Sequence, residues 1–251
     1  MRILPGLDMK DAVVIIPAFN EEASIGSLVR ELSEACPALP VVVICDGATD
    51  RTARVAREAG ATVLDLPCNL GVGGAVQAGF QYALQNGYQL AIRIDGDGQH
   101  PPSEIPTLLS AARESEADLV IGSRFSSAGL HTTLFRFFGI KMLAIFLSII
   151  CRKRVTDPTS GFWAVKRPLL QYFARDYPVD YPEPEGIALL SRLGYRFDEV
   201  SVHFRCRQAG QSSIRGWGTV YFALKVGFAL VVDRVRVLNK GYSRRFTVEW
   251  P

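Results

Sequence analysis

The chain has 251 residues, 48% of them hydrophobic, enough for one sizeable core; one domain with a C-terminal extension is expected at this length. Five cysteines, Cys36, Cys45, Cys68, Cys151 and Cys206, show no close pair and no zinc-like spacing, which excludes a disulfide framework and suits reduced, structural thiols of a cytosolic protein. The net charge of +3 is unevenly placed: residues 1–130 hold 9 Lys or Arg against 16 Asp or Glu, and residues 131–251 hold 19 against 9. An acidic front half suits a metal site, and a basic back half suits an anionic partner such as phosphate, a membrane surface or nucleic acid. Residues 1–11 contain no apolar segment of signal-peptide length.

In chain order, residues 12–17 (Ala-Val-Val-Ile-Ile-Pro) are an apolar run without alternation, as in a strand covered on both faces. Residues 21–35 have helical spacing, 41–45 form a second buried strand, and Asp46-Gly47-Ala48-Thr49-Asp50 is a turn. Thr49 or Asp50 is placed to cap a helix running to Gly60. Strands follow at 61–66, 90–94 and 118–122, separated by helices at 73–86 and 102–115. This alternation predicts a mostly parallel α/β sheet with helices on both faces. Ligands then bind beyond the carboxyl ends of the strands. The loops after Pro17, Cys45 and Ile94 converge there, carrying Glu21 and Glu22, Asp46 and Asp50, and Asp95 and Asp97.

Residues 91–100 read Ala-Ile-Arg-Ile-Asp-Gly-Asp-Gly-Gln-His, a buried-looking strand ending in two aspartates one residue apart. Unpaired, the two carboxylates would repel. Mg2+ or Mn2+, held by one or two carboxylates plus substrate phosphates, relieves that repulsion. The glycines of Asn69-Leu70-Gly71-Val72-Gly73-Gly74-Ala75 do not make a dinucleotide fingerprint, because the position for the third glycine is Val76. Tight helix packing is the role expected for them, with help in holding an anion at the helix N-terminus as the alternative. A Walker A pattern is absent.

Five strings occur in order: Pro17-Ala18-Phe19-Asn20-Glu21, Asp46-Gly47-Ala48-Thr49-Asp50, Asp95-Gly96-Asp97-Gly98-Gln99-His100, Gly122-Ser123-Arg124-Phe125 and Asp157-Pro158-Thr159-Ser160-Gly161-Phe162. Over roughly residues 11–214 the chain resembles GT-A fold, family 2 glycosyltransferases, close to the dolichyl/polyprenyl-phosphate sugar synthases. The resemblance implies a Rossmann-like GT-A domain over 1–214; residues 215–251 read as an apolar, basic helical extension with interfacial helices, where the family's membrane-spanning C-terminal helices are not evident. It implies that Pro17, Phe19, Glu21 and Asp46 line the base and ribose pocket. Asp95, Gly96, Asp97 and Gln99 would hold metal and diphosphate. Arg124, Arg136 and Arg207 match family arginines near phosphates or acceptor, Arg207 leading the Arg-x-x-Gly-x-Ser pattern at 207–212. Two positions depart from the family: Phe19 stands where Tyr is usual, and Cys45 where a first Asp is usual.

The implied reaction is inverting transfer of a hexose from a nucleotide-diphosphate sugar. A lipid-phosphate acceptor is already anionic near neutral pH, since a second phosphate pKa lies near ~6, and needs arginines more than a base. A sugar hydroxyl acceptor needs a carboxylate base, for which Asp157 and Glu185 are candidates. His100, before Pro101-Pro102, shapes the loop rather than moving protons. The apolar stretches 142–150 and 220–232, flanked by Lys and Arg, are shorter than the ~18–20 residues of a membrane span. They are read either as core helices or as interfacial helices on anionic headgroups. The expectation is an enzyme at the cytoplasmic face of a membrane, peripheral to it, with a polyprenyl phosphate acceptor and no nucleic-acid partner. The alternatives are sugar addition to a growing polysaccharide and a non-catalytic, membrane-attached nucleotide-binding module. The sugar, the base and the oligomeric state are left open.

Overall fold

The structure, a computed structural model, describes residues 9–125, 134–205 and 225–227, the first three residues of the second segment by backbone only. Seven strands form one sheet: β1 (Ala12–Ala18), β2 (Val41–Asp46), β3 (Thr62–Leu66), β4 (Leu90–Arg93), β5 (Leu119–Ser123), β6 (Trp163–Lys166) and β7 (Phe197–Ser201). Their order is β3-β2-β1-β4-β6-β5-β7. Strand β1 pairs in parallel with β2 and β4, β2 with β3, and β5 with β7, while β6 runs antiparallel to both of its neighbours.

Among the described residues, the helices flanking the sheet include α1 (Ile25–Ala35), α2 (Thr52–Glu58), α3 (Gly71–Gln85), α4 (Ile105–Glu114), α5 (Leu134–Cys151), α6 (Arg167–Phe173) and α7 (Pro182–Arg192). Because side chains alternate across a strand, β1 serves two cores. Val13 and Ile15 belong to the core cluster that takes in residues of α3, α5, α6 and α7, while Ala12, Val14 and Ile16 belong to the one that takes in residues of α1, α2 and α4. Burial on both faces is why β1 reads as an unbroken apolar run. Full burial of each Val or Ile side chain contributes roughly 1.5–3 kcal/mol.

The five strands expected from the sequence are present within a residue or two, so the mostly parallel α/β architecture stands. The antiparallel β6 was not anticipated. Its four residues, Trp-Ala-Val-Lys, are too short for a period and follow a proline-containing loop. Helix α1 begins at Ile25 rather than at 21, because residues 20–23 are used in loop contacts. The N-cap of α2 is Arg51 rather than Thr49 or Asp50, and it makes no side-chain cap bond; Asp50 instead braces the turn before it, its Oδ1 accepting from the Thr52 backbone N–H at 2.9 Å and from the Thr52 hydroxyl at 2.5 Å.

The 142–150 stretch belongs to the longer α5, whose Leu143 and Leu147 are buried in the core. Of the 220–232 stretch, only 225–227 is described; it is helical, and Val226 is fully buried in that same core. The domain boundary expected at 214/215 and Arg207 lie outside the described residues, as does the side chain of Arg136. Among the described residues, no helix is long and apolar enough to cross a membrane. Cys36, Cys45, Cys68 and Cys151 are free thiols.

Candidate active site

The carboxyl ends of β1, β2, β4 and β5 lie along one edge of the sheet. Since β6 runs the other way, its start also lies at that edge, and the 157–162 segment enters the site with it.

Hydrogen bonds and an ion pair join the loops after β1 and β2. Asn20 Oδ1 accepts from the Thr49 N–H (2.9 Å), the Glu21 N–H donates to Thr52 Oγ1 (2.8 Å), and Glu22 pairs with Arg51 (3.0 Å). The Ser24 hydroxyl lies 2.7 Å from Glu21 Oε2 and 3.0 Å from the Gly96 carbonyl, tying the β1 loop to the Asp-Gly-Asp turn. Asp46 is buried, and its Oδ1 accepts from the Leu70 N–H at 2.7 Å, fastening the glycine loop to the end of β2. Phe19, beside Pro17 and Ala18, is 47% exposed, an unpaired ring at the edge where a flat ligand would lie.

Strand periodicity puts Arg93 and Asp95 on the same face. Arg93 is fully buried, donating to Glu183 Oε1 (2.5 Å), Asp95 Oδ1 (3.3 Å) and the Tyr177 hydroxyl (3.3 Å). Burial opposes its charge, but Glu183, Tyr177 and Asp95 more than offset this, so it stays protonated. Burial also pushes the Asp95 carboxyl up, and the Arg93 and Arg124 guanidiniums pull it below the usual carboxylate range. Burial lowers the His100 pKa. Its Nδ1 accepts from the Asp95 N–H at 3.0 Å, which fixes the neutral ring with its proton on Nε2. The ring stacks on Phe162 at 5.1 Å and meets the edge of Phe204 at 4.9 Å, so it shapes the loop as expected.

Asp97 Oδ1 accepts from the Gln99 N–H at 3.0 Å. Gln99 uses its backbone here, its carbonyl accepting from Arg205 N–H; no contact of its side chain marks it as a ligand. Among the described residues no three His, Cys, Asp or Glu side chains converge to form a metal cage. The pair Asp95 and Asp97 nonetheless fits a hard cation that takes its remaining ligands from a diphosphate and water. Gly161 keeps the approach open: a Cβ there would lie 2.8 Å from both Asp95 oxygens.

Asp157 is fully buried. Its Oδ2 accepts from Arg124 Nε (2.7 Å) and from the Arg124 N–H (3.2 Å), and its Oδ1 from Arg124 Nη2 (3.2 Å). The backbone N–H groups of Thr156 and Asp157 in turn donate to Glu199 on β7, at 2.8 and 3.0 Å. Both oxygens of the base candidate Asp157 thus accept from Arg124, and the carboxylate orients that guanidinium. Glu185 lies on the first turn of α7, but Glu183, two residues earlier, is the acid of that turn bonded to the Arg93–Asp95 group. Arg93 and Glu183 were missed in the sequence. The available signal was a charge inside the apolar run 90–94, which required a buried partner.

The matches to known proteins agree with this geometry. Residues 13–173 match the sequence profile described as glycosyl transferase family 2, well over half of the chain. The chain belongs to glycosyl transferase family 2. It is 32% identical over 222 residues to the undecaprenyl-phosphate mannosyltransferase of Micrococcus luteus, covering 81% of this chain and 87% of that protein. It is 31% identical over 219 residues to the polyprenol monophosphomannose synthase of Mycolicibacterium smegmatis, covering 81% of each. The fold is that of glucosyl-3-phosphoglycerate synthase from Mycobacterium tuberculosis, solved with Mn2+, UDP and phosphoglyceric acid. The TM-score is 0.68 at 22% identity, over 92% of this chain and 83% of that one. This chain is thus a GT-A glycosyltransferase acting on a nucleotide sugar.

Proposed function

We propose that the protein transfers a hexose, with inversion, from a nucleotide-diphosphate sugar to a polyprenyl phosphate at a membrane surface, with Mg2+ or Mn2+ as cofactor. The observation that carries the choice of acceptor is the buried Asp157–Arg124 pair. A hydroxyl acceptor needs a carboxylate free to take its proton. An acceptor phosphate brings an ionised oxygen and needs cations, which a fixed guanidinium supplies. The names of the Micrococcus and Mycolicibacterium relatives, both polyprenyl-phosphate enzymes, support the same reading.

In this reading Phe19, Pro17, Glu21 and Asp46 seat the base and ribose, and Gly96 lets the turn approach the diphosphate. Asp95 and Asp97 would hold the cation, which would supply charge neutralisation at the leaving diphosphate. An acceptor oxygen attacks the anomeric carbon. The bond from that carbon to the β-phosphate oxygen breaks on the opposite face, and its electron pair leaves with the nucleoside diphosphate. Arg124, held by Asp157, stabilises the transferring charge. Arg136 and Arg207 are assigned to the acceptor phosphate by their sequence pattern.

The test offers the purified protein a labelled sugar nucleotide with either polyprenyl phosphate or a neutral oligosaccharide. Transfer to the lipid phosphate alone is expected. Efficient transfer to the neutral sugar with none to the lipid would reverse the assignment and return Glu185 to consideration as base. Asp97→Ala is expected to abolish manganese-dependent donor binding in calorimetry while the fold persists.

A further inference from the structure

Glu199 lies on β7, the edge strand of the sheet, in register with Ile121 of β5. Its carboxylate reaches the segment that carries Asp157. The Thr156 N–H is shared between Oε1 (2.9 Å) and Oε2 (2.8 Å), the Asp157 N–H donates to Oε1 (3.0 Å), and the Thr156 hydroxyl donates to Oε2 (2.8 Å). Since that hydroxyl gives its proton to Glu199, the Ser123 hydroxyl is the donor in the 2.7 Å contact between Ser123 and Thr156. The end of β5, the 156–157 segment and β7 are thus joined through one carboxylate.

The donors that converge there suit a charged acceptor. A carboxylate offers two oxygens and about four acceptor sites, whereas a glutamine amide offers one oxygen and turns an NH2 group toward the remaining N–H. What Glu199 holds is the backbone of the residue that holds Arg124. Asp157 accepts from the Arg124 main-chain N–H (3.2 Å), from Nε (2.7 Å) and from Nη2 (3.2 Å). Nη2 also lies 3.2 Å from both the carbonyl and the hydroxyl oxygen of Thr159, and the Phe204 ring centre is 4.8 Å from the guanidinium carbon. Among the described residues Nη1 makes no hydrogen bond, so its two N–H groups are the part of a fixed guanidinium left for a ligand.

We infer that Glu199 is a positioning residue for Arg124: it fixes the backbone of Thr156 and Asp157, Asp157 fixes the guanidinium, and Nη1 is thereby aimed at the reacting centre. The inference rests on the proposed role of Arg124 in stabilising the transferring charge. A misplacement of ~1 Å at such a group costs on the order of a hundredfold in rate. Donor binding should be spared, because the residues assigned to base and metal are carried by the loops after β1, β2 and β4.

The test is a double-mutant cycle of Glu199→Gln and Arg124→Ala, read on transfer to polyprenyl phosphate. Glu199→Gln should lower kcat by on the order of tenfold or more, while the Kd for nucleoside diphosphate with manganese stays within about twofold of wild type in calorimetry. In the Arg124→Ala background the same change should cost less than about twofold, because the group it acts through is gone. Thr156→Val removes one donor to Glu199 and leaves the backbone bonds; it should show a smaller loss with the same dependence on Arg124, and it carries the test if Glu199→Gln does not fold. An equal loss in both backgrounds, or donor affinity falling in step with kcat, would make Glu199 a structural residue only and overturn the inference. So would an unchanged kcat in Glu199→Gln. Wild-type transfer by Arg124→Ala would overturn the inference together with the role of Arg124. Transfer to a neutral oligosaccharide alone, with the cycle still non-additive there, would remove the lipid-phosphate reading and leave Glu199 in its role.

Discussion

Arg93 has a fully buried guanidinium beneath Asp95, with Glu183 as its closest partner. Removing one member of such a group leaves a buried charge unmatched, typically costing about 3–5 kcal/mol, whereas replacing both with apolar groups is often neutral. Arg93→Met is therefore expected to destabilise by roughly that amount in urea unfolding, and Arg93→Met/Glu183→Leu to recover most of the loss. The double variant should still bind manganese and nucleotide weakly, since Asp95 has lost the group that orients it; wild-type affinity would show that Arg93 is only structural. Gly161→Ala probes the same carboxylate from the other side. The added Cβ meets the movable end of Asp95 rather than backbone, so stability should hold while metal-dependent donor affinity falls. Asp157→Asn is expected to lower transfer without changing the shape of its pH profile. Loss of the acidic limb would identify Asp157 as a base after all.

At the scale of elements, the glycine loop and β6 decide how the site closes. A Cβ on Gly73 would lie 2.4 Å from the Pro178 carbonyl oxygen and 2.6 Å from Val179 Cα, both backbone atoms. Helix α3 thus lies against the 177–180 segment, which leads into α7 and Glu183. The glycine loop serves packing, as its failed dinucleotide spacing indicated. Gly73→Ala should cost roughly 1–3 kcal/mol through overpacking, read as a lower urea midpoint with an unchanged slope. Strand β6 acts through its direction. A parallel strand in its place would start at the far edge of the sheet and carry residues 157–161 away from Asp95 and Arg124.

For the whole molecule, the cation and the donor are expected to act as one ligand. With manganese present, a nucleoside diphosphate at a hundred times its Kd should stabilise the fold by about 2.7 kcal/mol. For a domain of this size that is a Tm rise of roughly 5–10 °C. EDTA or Asp97→Ala should abolish the rise. A rise that survives chelation would mean that the arginines and loop amides bind the diphosphate without a metal.

Much of this was legible in the chain itself. The strands β1, β2, β4 and β5 are apolar runs buried on both faces, and local composition suffices to mark such runs and the acids that follow them. Pro17, Asp46, Asp95 and Asp97 therefore appeared at the ends of strands before any contact was known, and five ordered motifs pointed to the family. Pairings between residues distant in sequence were not legible. Arg93 and Glu183 are 90 residues apart, and Arg124 and Asp157 are 33 apart. Neither partner carries a local sign of the other, because a salt bridge across a fold is set by strand order and direction. Tertiary structure alone showed that Asp157 is bonded to Arg124, that Glu183 meets the Arg93–Asp95 group, and that α5 has two apolar faces. The sequence determined which residues lie at strand ends, since burial and periodicity are local properties. The reversed β6 decided which of them meet, since proximity across the sheet is not.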